Sequence, residues 1–157
     1  MQAGVGSGTL PVMEQRLTLV TLGVTDLDAA RRFYLDGLGW TALLDAGEAV
    51  FVQVGHGLVL SLYGRADLAR DAGTAAGPVP PPPLALAHNV GSEEEVRRAV
   101  DDWRTAGGEL ISAPAPAPWG GYVAHVADPD GFRWEIAHNP GLTVDDDGTV
   151  RMGAVDG

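Results

Sequence analysis

Two stretches of this chain carry the same order of apolar and polar positions. Residues 17–40 run from an apolar segment ending at Val24, through an acidic turn, into a helical pattern that stops at glycine. Residues 84–108 repeat the series, with Val90 in the place of Val24 and a Gly-Gly stop. In the first copy, residues 16–25 partly alternate and are rich in β-branched side chains, which predicts a strand. Asp26 is suited to cap the helix that follows, whose apolar stripe is Leu27, Ala30, Phe33, Tyr34 and Leu38. In the second copy, residues 84–90 predict a strand, Ser92 a cap, and residues 93–106 a helix with Val96, Ala99, Val100 and Trp103 on one side. Glu93, Glu94 and Glu95 sit where the positive end of that helix favours them.

Each copy then continues into short strand-like runs. These are 41–44, 50–54 and 58–63 in the first, the last two joined at Gly55-His56-Gly57. In the second they are 109–112, 122–127 and 132–137, the last two joined by Asp128-Pro129-Asp130-Gly131, a strong turn sequence. Residues 113–118, rich in Pro and Ala, read as a loop. The pattern predicts an α+β fold: two βαβββ modules forming curved mixed sheets around a cavity. A module of this size lacks a comfortable core of its own, so a shared core is expected, with site residues arriving in symmetry-related pairs.

Residues 65–83 divide the copies. They begin with a short helical stretch, and end in four consecutive prolines (80–83) that cannot sit inside a sheet. The expected organisation is a leader at 1–14, a first module at 15–64, a Pro-rich linker at 65–83, a second module at 84–140 and an acidic tail at 141–157.

Composition narrows the chemistry. The 157 residues hold ten Arg, no Lys and 21 Asp plus Glu, for a formal net charge of −11. Such a surface repels phosphate backbones, which argues against nucleic acid and suits a cationic ligand. Without lysine there is no Schiff-base amine, and without cysteine no thiol nucleophile, disulfide or thiolate metal site. No apolar run approaches a membrane span, and residues 1–12 lack the basic and apolar regions of a secretion signal. A cytoplasmic protein is expected.

An opening Val24-x-Asp26-Leu27, with Phe33-Tyr34 and Leu38-Gly39 after it, and a closing Asp128-Pro129-Asp130-Gly131 with Trp134-Glu135, resemble the vicinal oxygen chelate superfamily. That superfamily includes glyoxalase I, bleomycin-resistance proteins and extradiol dioxygenases. The resemblance covers about residues 15–140 and implies the paired βαβββ fold and association into homodimers, but not one reaction.

The resemblance also implies where a metal would bind: a His or Gln five positions before the motif Val in each half, and a carboxylate or His on each last strand. Those positions hold Leu19, Ala85, Ser61 and Glu135. A divalent ion needs at least three good N or O donors, so no metal or other cofactor is expected; a divalent metal is the alternative. His88 lies three residues from Ala85, which turns it to the opposite, helix-facing side of the strand, where it reads as a core-edge histidine.

The ligand parity implied by the family assigns a cavity face: Leu19, Thr21 and Gly23; Val59, Ser61 and Tyr63; Ala85, Ala87 and Asn89; Arg133, Glu135 and Ala137. Small residues at the old metal positions suit an organic ligand. Glu135 reads either as a general base or hydrogen-bond acceptor, or as an inherited polar residue paired with Arg133, a neighbouring strand's arginine or water. Trp119 and Tyr122 read either as an aromatic wall over a planar ligand or as packing at the end of the sheet. The candidate ligand-binding set is therefore Thr21, Ser61, Tyr63, Asn89, Trp119, Tyr122, Arg133 and Glu135, with Glu135 the candidate catalytic residue. The expected function is metal-free binding or sequestration of a small organic molecule, as in bleomycin resistance. The alternatives are a glyoxalase-like lyase or isomerase, a dioxygenase-like enzyme, or an assembly partner with a collapsed pocket.

Overall fold

A computed structural model of the chain describes residues 13, 15–74, 82 and 84–153. The first module contains β1 (Leu19–Val24), α1 (Leu27–Arg31), β2 (Leu44–Asp45), β3 (Ala49–Gly55) and β4 (Leu58–Gly64). Its sheet runs β1-β4-β3-β2, with β1 parallel to β4 and the other pairs antiparallel. After α2 (Arg65–Asp71), the second module repeats the plan with β5 (Ala85–Asn89), α3 (Glu93–Thr105), β6 (Glu109–Pro116), β7 (Tyr122–Ala127) and β8 (Arg133–His138). Its order, β5-β8-β7-β6 with β5 parallel to β8, is the same topology. A hairpin of β9 (Leu142–Val144) and β10 (Val150–Met152) follows, so part of the acidic tail is ordered by pairing with itself. Among the described residues no helix is long and apolar enough to cross a membrane.

Both helix starts use the caps expected of them. Asp26 Oδ1 accepts from the Ala29 amide at 3.0 Å, and Ser92 Oγ from the Glu95 amide at 3.2 Å. α1 widens into a π-helical segment, Arg32–Gly37, which buries the adjacent rings of Phe33 and Tyr34 together. Two strand expectations are corrected. The second run of the first module pairs only at Leu44–Asp45, and β6 continues through Pro116 where a loop was expected from residue 113. β6 tolerates its prolines because it is an edge strand with register shifts on both sides of Ser112, where missing N–H donors leave no ladder bond broken. Of the four-proline run, all but Pro82 lies outside the described residues.

The modules meet through their helix-bearing sides. Alternation puts Leu22 and Val24 of β1, and Trp134 and Ile136 of β8, into one continuous core with Val96, Val100 and Trp103 of α3. Five rings close the junction: Phe33 meets Trp103 edge-on at 5.0 Å, and Trp134 lies 5.5 Å from Trp103, 5.9 Å from Trp40 and 6.3 Å from Tyr34. Two polar ties cross the same junction. Tyr34 Oη donates to Asp128 Oδ2 at 2.7 Å in the core, and the Thr25 amide donates to Asp130 Oδ1 at 2.7 Å. The turn Asp128-Pro129-Asp130-Gly131 thus joins two strands and also clamps the start of the first module.

Candidate functional site

Because the modules dock by their helical sides, two kinds of surface remain. One is the outer face of each sheet; the other is the gap between modules where their inner faces diverge.

The gap is a cleft of about 850 Å³. Its walls come from both modules: Val20 of β1, Val52 of β3, Leu58 and Leu60 of β4, then Leu86 and His88 of β5 and Trp134 of β8. Trp40 forms one end, and Gly148, Thr149 and Val150 of the C-terminal hairpin reach the rim. The polar groups are few: Thr41, Gln53, His56, His88 and Thr149. His88 keeps part of its surface open to solvent, and the apolar walls packed on the rest of it lower its pKa from the ordinary histidine value. A smaller recess of about 130 Å³ shares Trp40, His88 and Trp134 with the cleft and adds Leu38, Ala99, Asp102, Trp103 and Ile136. His88 therefore faces α3, as its strand parity predicts. Trp134 Nε1 is buried beside the Tyr34 hydroxyl but makes no well-formed hydrogen bond.

The eight residues singled out from sequence lie elsewhere; none of them lines the cleft. Thr21 and Ser61 are register partners on β1 and β4, with Phe51 of β3 opposite Ser61; Ser61 is buried. Tyr63 is tied to α2, its hydroxyl donating to Asp71 Oδ2 at 2.9 Å. α2 seats on that end of the sheet because Gly23 has no side chain there: a Cβ at Gly23 would stand 3.0 Å from Leu68 Cδ2. The chain's own helix thus covers the Gly23–Tyr63 end of the outer face. On the second sheet, Ala87 is opposite Glu135, and Asn89 opposite Ala137. Arg133 pairs with Ala85 and Ala127.

Glu135 has a partner that sequence parity did not supply. His125 of β7 is its register neighbour, with Nε2 3.6 Å from Glu135 Oε2. His125 Nδ1 in turn lies 3.0 Å from Ser112 Oγ. Ser112, His125 and Glu135 form a line across the outer face of the second sheet, half open to solvent. Tyr122 is buried on the helix side, where the Arg97 guanidinium sits 4.9 Å from its ring centroid. Trp119 is half-exposed and lies over Gly121, where any side chain would overlap its indole.

The donor set at the four family metal positions does not fit a divalent ion. Leu19 and Ala85 carry no donor atom, Ser61 offers a neutral hydroxyl, and Glu135 alone offers a carboxylate. Among the described residues no three His, Asp or Glu side chains gather into a metal-holding group.

Val59, Ala85 and Ala87, assigned to the cavity face from sequence, do border the cleft, whereas Trp40 and Trp134 were missed because they are indistinguishable there from core aromatics. One signal was present: His88 as the single titratable side chain on an apolar, helix-facing strand side.

Comparison with known proteins agrees with this architecture. The family model described as Glyoxalase/Bleomycin resistance protein/Dioxygenase superfamily matches residues 16–136. A glyoxalase-related enzyme from Fulvimarina pelagi is 40% identical, with a TM-score of 0.83 over 90% of this chain and 100% of that one. A glyoxalase/bleomycin resistance protein/dioxygenase from Nocardioides is 26% identical, with a TM-score of 0.65 over 82% of this chain and 86% of that one. A lactoylglutathione lyase from Agrobacterium tumefaciens shares the fold at 22% identity and a TM-score of 0.62, over 80% and 95% of the two chains. No functionally curated protein matches the chain. The matched family model, the duplicated βαβββ topology and the 40% identical relative together place this chain in the glyoxalase/bleomycin resistance protein/dioxygenase superfamily.

Proposed function

We propose that this protein binds a small organic molecule in the cleft between its modules, without a metal. The observation that carries the reading is the cleft itself: about 850 Å³, walled by apolar side chains and two indoles, with a few polar groups at its edges. That volume lies within the range of roughly 300–1,000 Å³ typical of small-molecule sites, and this mix of walls is their usual lining. The unsuitable donor set at Leu19, Ser61, Ala85 and Glu135 supports the metal-free part of the reading. Ligand entry desolvates aromatic surface at Trp40 and Trp134, so binding is readable as a change in tryptophan fluorescence. The test is a titration of chelator-treated protein with neutral and cationic naphthalene derivatives. Saturable binding with a Kd below about 1 mM supports the proposal; no member of the panel binding below that concentration overturns it.

A second reading, catalysis on the outer face, is favoured by the Ser112–His125–Glu135 line. There His125 is the nearest proton acceptor and Glu135 its electrostatic partner. A turnover that survives both His125→Ala and Glu135→Gln removes this reading. The proposal also includes a homodimer. It is supported by β1 and β5, each of which ends its sheet with a free edge among the described strands. Sedimentation equilibrium giving only the 16.3 kDa monomer at working concentration contradicts that part.

A further inference from the structure

The recess behind His88 differs from the cleft in kind. Three of the chain's four indoles, Trp40, Trp103 and Trp134, border it, and Asp102 is its one carboxylate. We propose that this recess is an aromatic cage for a methylated ammonium group, so that the ligand is an apolar or aromatic molecule carrying such a head. The inference rests on the cleft as the site of the ligand's body.

Four observations support it. First, the size fits a compact group and no ring system: about 130 Å³ is roughly four times the liquid volume share of one water. Second, indole faces and edges crowd the site at mutual centroid distances of 5.5 and 5.9 Å, and a cation against indole is the strongest of the cation–π pairs. The Trp103 indole is held in place, its Nε1 donating to the Ala127 carbonyl at 2.9 Å. Third, the charge is complementary. Asp102 supplies a negative group, and no Arg borders the recess. His88, the only other titratable side chain there, has its pKa lowered by its apolar neighbours, which favours the uncharged ring beside a cation. Fourth, Trp40, His88 and Trp134 border both spaces, so one molecule reaches both. The net charge of −11 adds attraction at long range.

A matched pair of probes tests the cage: naphthylmethyl-trimethylammonium and its uncharged carbon isostere, neopentylnaphthalene. Both have the same shape, so in about 0.5 M salt, which screens the long-range pull of the net charge, the cleft alone binds them about equally. The cage predicts that the cation binds at least about tenfold more tightly. Asp102→Asn, on the exposed side of α3, is expected to cut that advantage by about threefold or more while leaving the isostere's Kd unchanged. Trp40→Leu is expected to weaken the cation more than the isostere; should that variant not fold, Asp102→Asn still decides. Equal affinities for the two probes overturn the cage and leave the cleft reading standing. Neither probe binding overturns both.

Discussion

The tie between Tyr34 and Asp128 gives the sharpest prediction about how the modules are held. Tyr34 is 1% exposed and Asp128 4%. Asp128 Oδ1 accepts from the amides of Asp130 and Phe132 at 3.0 and 2.9 Å, while Oδ2 accepts the Tyr34 hydroxyl at 2.7 Å. Tyr34→Phe removes that donor, leaving a buried carboxylate oxygen unpaired, and also takes away the hydroxyl beside the buried Trp134 Nε1. A hydrogen bond to a charged group contributes about 1.5–3 kcal/mol, and the stranded oxygen puts the loss near the top of that range, about 2–3 kcal/mol at pH 7. For a chain of this length that is a fall in Tm of roughly 6–9 °C.

The pH dependence carries a sign. Burial, the largest effect, raises the Asp128 pKa, and the Tyr34 hydroxyl opposes it. A carboxyl whose folded pKa is raised holds its proton more tightly when folded. Its contribution to stability is full below the unfolded value near 3.9, and is lost as pH rises through the folded value. Removing the Tyr34 donor raises the folded pKa further. The variant is therefore weakest relative to wild type at pH 7, and the gap narrows as the pH falls toward about 4. Asp45 shifts the other way, held low first by its Arg31 partner, but it is common to both proteins and cancels in the difference. Urea unfolding followed by circular dichroism at several pH values measures the gap. A loss under about 0.5 kcal/mol at pH 7, or one that grows on acidification, refutes the reasoning.

Three further outcomes follow from the same geometry. Val20→Phe places a ring in the apolar cleft from a half-buried wall position and is expected to weaken naphthalene binding about tenfold or more, with a stability change below about 1.5 kcal/mol; unchanged binding locates the ligand elsewhere. Chelator treatment is expected to leave probe affinity unchanged, with elemental analysis below about a tenth of an equivalent of metal per chain, whereas binding that returns only with added metal contradicts the metal-free reading. Removing residues 141–157 takes away the rim formed by Gly148, Thr149 and Val150, and is expected to speed probe dissociation while the far-UV spectrum keeps its helical signal; stopped-flow fluorescence measures the rate.

Much of the fold is readable from local pattern because local physics decides it. The alternation in 19–24, the caps Asp26 and Ser92, and the stripe Val96–Val100–Trp103 each fix an element without reference to the rest of the chain. The prolines of β6 mislead because an edge strand with register shifts tolerates what a central strand does not. The site is less legible for a different reason. Strand parity tells which residues share a face, but the faces that enclose space depend on how two modules dock. That docking rests on Phe33, Tyr34, Trp40, Trp103 and Trp134 meeting across the junction, contacts between residues far apart in sequence. The family resemblance drew attention to Leu19, Ser61 and Glu135 on the outer faces, and to Ala85, which borders the cleft. The cleft between the modules is walled mainly from the inner faces, where His88 and Trp134 stand.

The account's central claim is that the ligand's body occupies the inter-module cleft. Methyl-resolved NMR of the chelator-treated protein, titrated with naphthylmethyl-trimethylammonium, addresses it directly. Val20, Val52, Leu58, Leu60 and Leu86 report on the cleft, and Leu19, Thr21 and Ala137 on the outer sheet faces. The prediction is a saturable set of shifts confined to the first group; shifts confined to the second, with the cleft methyls unmoved, contradict it.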